Sequence, residues 1–91
     1  GRINKFIMTN AWLESDNKLS KTFEFADFNQ AFAFMTEVAR VAEELNHHPD
    51  WRNVWNKVYI NLYTHDTGDT ITAKDRELAL RIDQLSLLHI H

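Results

Sequence analysis

The chain contains no cysteine. Disulfides and thiolate metal sites are therefore excluded, and redox chemistry leaves the compartment open, a reducing cytosol being allowed. There is no apolar run near the roughly 20 residues that a membrane-spanning helix needs, and no hydrophobic stretch and cleavage pattern of a secretory signal. The cytoplasm is the expected location, with no membrane partner. Clustered basic charge is also lacking: 10 Lys and Arg stand against 13 Asp and Glu, for a net charge of -3. Sequence-independent affinity for DNA or RNA comes from grouped Lys and Arg, and here they are scattered singly, so direct nucleic-acid contact is not expected. The chain opens on Gly1 rather than Met, with Met8 a candidate native start, and residues 1–7 carry little functional weight.

What is present is one domain's worth of chain, 1–91. A domain this small buries only roughly 60–65 % of its unfolded surface and gains from an oligomeric interface. The segment from Phe6 to Glu14, with Trp12 its firmest feature, reads as a short strand. Ser15 to Lys18 has turn chemistry, because Asp16 and Asn17 tolerate left-handed conformations. Leu19, Lys21, Phe23 and Phe25 then alternate with polar residues, the period of a half-buried strand, so the two strands read as an antiparallel hairpin. Asp27 and Gln30 form a capping box. Behind it Phe28, Ala31, Phe32, Met35, Val38, Ala39, Ala42 and Leu45 recur at helical spacing as one core-facing stripe. Phe34 and Val41 fall outside it and are candidates for a subunit contact.

The helix must end before Pro49, the one proline, which disfavours helical geometry at His48. From Val54 a strand is expected with Val54, Val58, Ile60 and Leu62 on one face and Trp55, Lys57, Tyr59, Asn61, Tyr63 and His65 on the other. Asn56 breaks the apolar parity, so a bulge or register change is expected near it. Asp66 to Asp69 is a turn. Thr72 and Asp75 form a second capping box ahead of Leu78, Ala79, Ile82 and Leu85, and Leu87, Leu88 and Ile90 extend beyond that helix. Both helices need an apolar surface, which an antiparallel sheet covered on one face supplies.

His47, His48 and His65 are three of the five histidines, and they can converge: two flank the end of the first helix and the third closes the strand. Imidazole exchanges protons near neutral pH, which makes such a convergence a candidate proton-transfer site. Successive side chains on an extended chain point apart, so His47 and His48 meet one ligand only if His47 still belongs to the helix end. Trp51, Trp55, Tyr59 and Tyr63 could wall a flat heterocycle, or could be plain sheet packing. A zinc site has little support, because adjacent histidines chelate one ion poorly and no cysteine assists.

Glu43 to Trp51, Trp55 to Val58, Leu62 to His65, and then Asp75 together resemble the signature of the pterin-4a-carbinolamine dehydratases, also called 4a-hydroxytetrahydrobiopterin dehydratases. The likeness covers almost everything from Trp12 to Leu85. It implies an α+β fold, a four-stranded antiparallel sheet with helices on one face, assembled as a homodimer or homotetramer partly through the long helix. It also implies a hydro-lyase of tetrahydrobiopterin metabolism acting on a pterin substrate, with no metal or redox cofactor required. By that resemblance His47, His48 and His65 are the catalytic residues, His47 and His65 as acid and base and His48 as an orienting group. Glu43, about one helical turn before His47, is placed to orient an imidazole. Pro49 shapes the pocket, Thr64 and Asp75 stand at its rim, and Trp12 forms a wall. Asn46 and Lys74 stand where the family is expected to vary. Two other readings remain open here: an interaction protein of the same fold, as a transcriptional coactivator or molybdopterin-related accessory factor, and a metal-binding module.

Overall fold

Two consecutive left-handed residues, Asp16 at φ 54° and Asn17 at φ 62°, reverse the chain between its first two strands. Asp and Asn accept this geometry more readily than other side chains, and its twist matches the strands on either side. The computed structural model describes residues 11–65 and 68–88. Along them run β1 (Leu13–Ser15), β2 (Lys18–Glu24), α1 (Phe28–Leu45), β3 (Asp50–Val54), β4 (Lys57–Leu62) and α2 (Ala73–Leu88). The four strands form one antiparallel sheet in the order β1-β2-β4-β3. Both helices pack on one face of it, so the fold is α+β as expected. Of the strand expected from Phe6 to Glu14, residues 6–10 lie outside the described residues.

Alternation places Leu19, Phe23, Val58, Ile60 and Leu62 on the covered face, against Ala31, Phe34, Val38 and Val41 of α1 and Leu78, Ala79 and Ile82 of α2. Phe34 is wholly buried, with its ring 5.0 Å from that of Phe23 and 4.9 Å from that of Phe25. Val41 is buried as well. This corrects the expected stripe: Phe34 and Val41 are core, whereas Phe28 and Phe32 are 44 % and 55 % exposed and Ala39 faces solvent. Helical spacing fits two stripes on α1, because Ala31, Phe34, Val38, Val41 and Leu45 also recur at steps of three and four. The aromatic layer of β2 selects the second.

Asp27 caps α1 by accepting the Gln30 amide at 2.9 Å, and the Gln30 side chain accepts the amide of Ala26 at 3.3 Å. At the other end Asn46 is left-handed at φ 54°, and the His47 amide donates to Ala42 O. Leu87 and Leu88 belong to α2 rather than extending past it, while His89, Ile90 and His91 lie outside the described residues.

The single strand expected from Val54 is instead the second arm of a hairpin. The chain reverses at Trp55 and Asn56, pairing Val54 with Lys57. Val54 therefore shares the face of Lys57 and is exposed, away from Val58, Ile60 and Leu62. The break in parity at Asn56 is the turn itself. Asn56 is buried, its amide side chain donating to Phe25 O at 2.8 Å while its carbonyl accepts the Phe25 amide at 2.9 Å. Asn53 adds bonds to the carbonyls of Trp55 and Lys57. These contacts hold Trp55 at φ 51°, a conformation costly for a bulky side chain.

Candidate active site

Three chain segments end at one place. The left-handed Asn46 swings His47 and His48 off the end of α1, Pro49 stops any further helix, and Asp50 starts β3. Because β3 runs antiparallel to β4 with Asp50 opposite Asn61, the residues after β4, Tyr63 to His65, come up beside that corner. The start of α2 supplies the third side. Between them opens a cleft of about 370 Å³, lined by Asn46, His47, His48, Pro49 and Asp50, by Tyr63, Thr64 and His65, and by Lys74.

Each of the three imidazoles has one ring nitrogen on a carboxylate. His47 Nε2 lies 2.5 Å from Asp75, His48 Nε2 2.7 Å from Glu43, and His65 Nδ1 2.8 Å from Asp69. A carboxylate only accepts, so the bonded nitrogen carries the proton and the other ring nitrogen is left to act as a base, or as an acid once protonated. The opposite nitrogen of each ring has no protein partner among the described residues. The pairs differ in depth. His47 is nearly buried, whereas the other two pairs are exposed.

Asp75 is wholly buried beneath His47. It also accepts the Thr64 hydroxyl at 2.7 Å and the Thr72 amide at 2.9 Å. Since Thr64 spends its proton on Asp75, the Thr72 hydroxyl donates to Thr64 Oγ1, 2.5 Å away. Burial pushes the Asp75 carboxyl up, but the bonds from His47, the Thr72 amide and Thr64, with the charge of His47, outweigh it and hold the group below the usual carboxylate value. Asp75 thus stays an anion and an acceptor. A backbone bridge pairs Thr64 with Thr70 beside this network. On the other wall the Tyr63 hydroxyl donates to Asp50 at 3.1 Å. That bond, reinforced by the charge of Asp50, raises the phenol above its usual value.

Of the residues anticipated from sequence, His47, His48, His65, Pro49 and Thr64 line the cleft together. Asp75 lies under it rather than at its rim. Glu43 bonds His48 and not His47, because the left-handed turn at Asn46 carries His47 toward α2. Trp12 is no wall of the cleft: its ring packs edge-on against Phe23 at 6.0 Å and its indole N–H donates to Asp83. Of the four aromatics proposed as a wall, only Tyr63 lines the cleft. Tyr59 lies under Arg52 at 4.1 Å on the open face of the sheet, and Trp55 sits at the far end of the hairpin. Asp50 and Asp69 were missed. Asp69 stands four residues after His65 in a segment whose turn chemistry masked it.

The profile of one family, described as pterin 4 alpha carbinolamine dehydratase, matches residues 2–85. The chain belongs to that family. Curated relatives in the family include a protein of Prochlorococcus marinus, 46 % identical over 92 % of this chain and 88 % of its own, and one of Solibacter usitatus, 51 % identical over 84 % and 79 %. Both bear the dehydratase name provisionally. Among solved structures, a transcriptional coactivator/pterin dehydratase from Brucella melitensis is 32 % identical over 92 % of each chain, with a TM-score of 0.80. A pterin dehydratase-like protein identified as a RuBisCO assembly factor of the alpha-carboxysome is 28 % identical over 84 % of this chain and 89 % of its own, with a TM-score of 0.70. No helix among the described residues is long and apolar enough to cross a membrane.

Proposed function

We propose that this chain is a hydro-lyase that removes water from 4a-hydroxytetrahydropterin to give the quinonoid dihydropterin, within tetrahydrobiopterin recycling. The observation that carries this reading is the set of three imidazoles on one cleft, each with one nitrogen fixed by a carboxylate and the other open. In the reaction the C4a–O bond breaks as an acid protonates the departing hydroxyl. The proton on N5 passes to a base, and the freed electron pair forms the C4a=N5 double bond. His47 and His65 carry the acid and base work and His48 orients the ring, while Asp75, Glu43 and Asp69 are positioning residues. Pro49 and Thr64 shape the binding surface. The scheme uses neither metal nor redox cofactor. The protein acts in the cytoplasm as a homodimer or homotetramer, in which the exposed Phe28 and Phe32, with rings 5.7 Å apart on α1, take the contact first assigned to Phe34 and Val41.

The test is the rate of dehydration of freshly generated 4a-hydroxytetrahydropterin by wild type and by a His47→Ala, His65→Ala double variant. A large loss is expected, and equal rates would defeat the proposal. A second reading, a non-catalytic interaction protein, is favoured by the RuBisCO assembly factor of the same fold. It requires that the double variant keep the biological role while wild type shows no dehydration.

A further inference from the structure

The histidines account for the reacting edge of the substrate, but the cleft has a second polar feature that the reaction does not use. Asp50, at the start of β3, and Tyr63, just past the end of β4, face it together. The Tyr63 hydroxyl donates to Asp50 Oδ2, and Asp50 Oδ1 has no partner among the described residues. Two constraints fix the pair in place. The preceding Pro49 limits the backbone before Asp50, and the β3–β4 ladder sets the separation of the two strand ends. The result is a preorganised acceptor at an exposed edge of the cleft: one open carboxylate oxygen, and a phenol oxygen whose lone pairs remain available. Such an acceptor suits a ligand that brings hydroxyl donors.

In a pterin, the substituent on C6 begins one ring atom from N5. With N5 against the imidazoles, that substituent leaves the reacting edge within the same cleft. Resting on the dehydratase reading above, we propose that Asp50 and Tyr63 form a side-chain subsite that selects pterins carrying a hydroxylated C6 substituent. Hydroxyls of the substituent donate to Asp50, and Tyr63 holds that carboxylate in position while offering its own oxygen. Because Asp50 keeps the phenol protonated, Tyr63 remains a neutral donor throughout the working range of a cytoplasmic enzyme. Hydrogen bonds to a part of the substrate remote from the reacting bond act equally in the ground and transition states, so the effect belongs in KM rather than kcat.

The experiment compares two substrates, the 4a-hydroxytetrahydropterins bearing a dihydroxypropyl and a methyl group at C6, in wild type, Tyr63→Phe, Asp50→Ala and the double variant. Wild type is expected to favour the hydroxylated substrate in kcat/KM by about tenfold to a hundredfold, the scale of a hydrogen bond to a charged acceptor. Either single change should bring the ratio of the two substrates close to unity, and the double change should add little, since the two residues act as one unit. The ratio is its own control for impaired folding. Absence of a preference in wild type, or its survival in both single variants, overturns the subsite. An equal loss for both substrates also overturns it, assigning the pair to the shared ring instead. If wild type turns over neither substrate, the dehydratase reading itself has failed, a result distinct from turnover of the methyl compound without preference.

Discussion

His47 Nε2 lies 2.5 Å from Oδ1 of Asp75, a carboxylate with no solvent exposure that stands 28 residues further along the chain. The contact joins the end of α1 to the start of α2, and through Thr64 it reaches the end of β4 as well. Replacing Asp75 by Ala leaves the Thr72 amide, the Thr64 hydroxyl and the His47 ring without their acceptor in a buried site. The expected cost is about 2–4 kcal/mol in urea unfolding, with Asp75→Asn costing less because an amide oxygen still accepts. Dehydration should fall roughly 10-fold to 100-fold in Asp75→Asn, since His47 loses its orientation rather than its chemistry. An Asp75→Ala protein as stable as wild type would mean that the network is not the tie described.

Acid should remove the same contribution. The carboxyl of Asp75 lies below its ordinary value of 3.8 in the folded protein. Above 3.8 both folded and unfolded chains hold it ionised, and its stabilisation is fully present. As the pH descends from 3.8 the unfolded chain takes up the proton first, so the stabilisation is lost progressively until the folded group is protonated too. The difference in unfolding free energy between wild type and Asp75→Asn should therefore shrink as the pH falls below about 4. Other carboxylates are common to both proteins and cancel. A gap that stays level through the acid range would contradict this account.

Much of this architecture could be read before any coordinates, and the misreadings have identifiable causes. Alternation in β2, the turn at Asp16 and Asn17, the Asp27–Gln30 cap, the Asp75 half of the second capping box and the burial of Leu78, Ala79 and Ile82 follow from local chemistry, and each stands as expected. The number of strands came from resemblance rather than pattern, because the parity break at Asn56 reads equally well as a bulge within one strand. Neither Trp55 nor Asn56 is glycine, and the reversal is held by the distant Phe25 backbone. The face of α1 was ambiguous for a different reason: two apolar stripes share Ala31, Val38 and Leu45, and only the aromatic layer of β2 decides between them. At the site, the histidines were legible but their partners were not. One left-handed residue, Asn46, determines which carboxylate meets which ring, and spacing along a helix does not encode it.

Trp55 provides a test of that hidden turn. Its φ of 51° is costly for a bulky side chain, while the residue is 63 % exposed and contributes little burial. Trp55→Gly should be neutral or stabilising by up to about 1 kcal/mol, because glycine reaches this conformation without steric penalty. The turn also lies at the opposite end of the hairpin from Asp50, roughly 17 Å away at the rise of an extended strand. Dehydration should consequently stay within about twofold of wild type. Thermal unfolding and initial rates on one preparation check both halves, and a marked loss of stability would show that Trp55 has a packing partner.

The two adjacent histidines should prove unequal. His47 is nearly buried and bonded to an anion locked by three donors, whereas His48 is exposed and bonded to a Glu43 side chain that is more exposed still. An exposed ion pair is worth little and gives little orientation, because both side chains keep alternative rotamers and water competes for each. Between these two adjacent rings, the deeper one has the more fixed geometry and is the better placed for proton transfer. His47→Ala should lower kcat by about 10²-fold or more, and His48→Ala by only about 10-fold. Glu43→Gln should fall within about threefold of wild type, since it removes only the weaker restraint. Presteady-state measurement of dehydration in the three variants orders them. The ranking fails if His48→Ala loses as much as His47→Ala, which would place the proton transfer on the solvent side of the cleft.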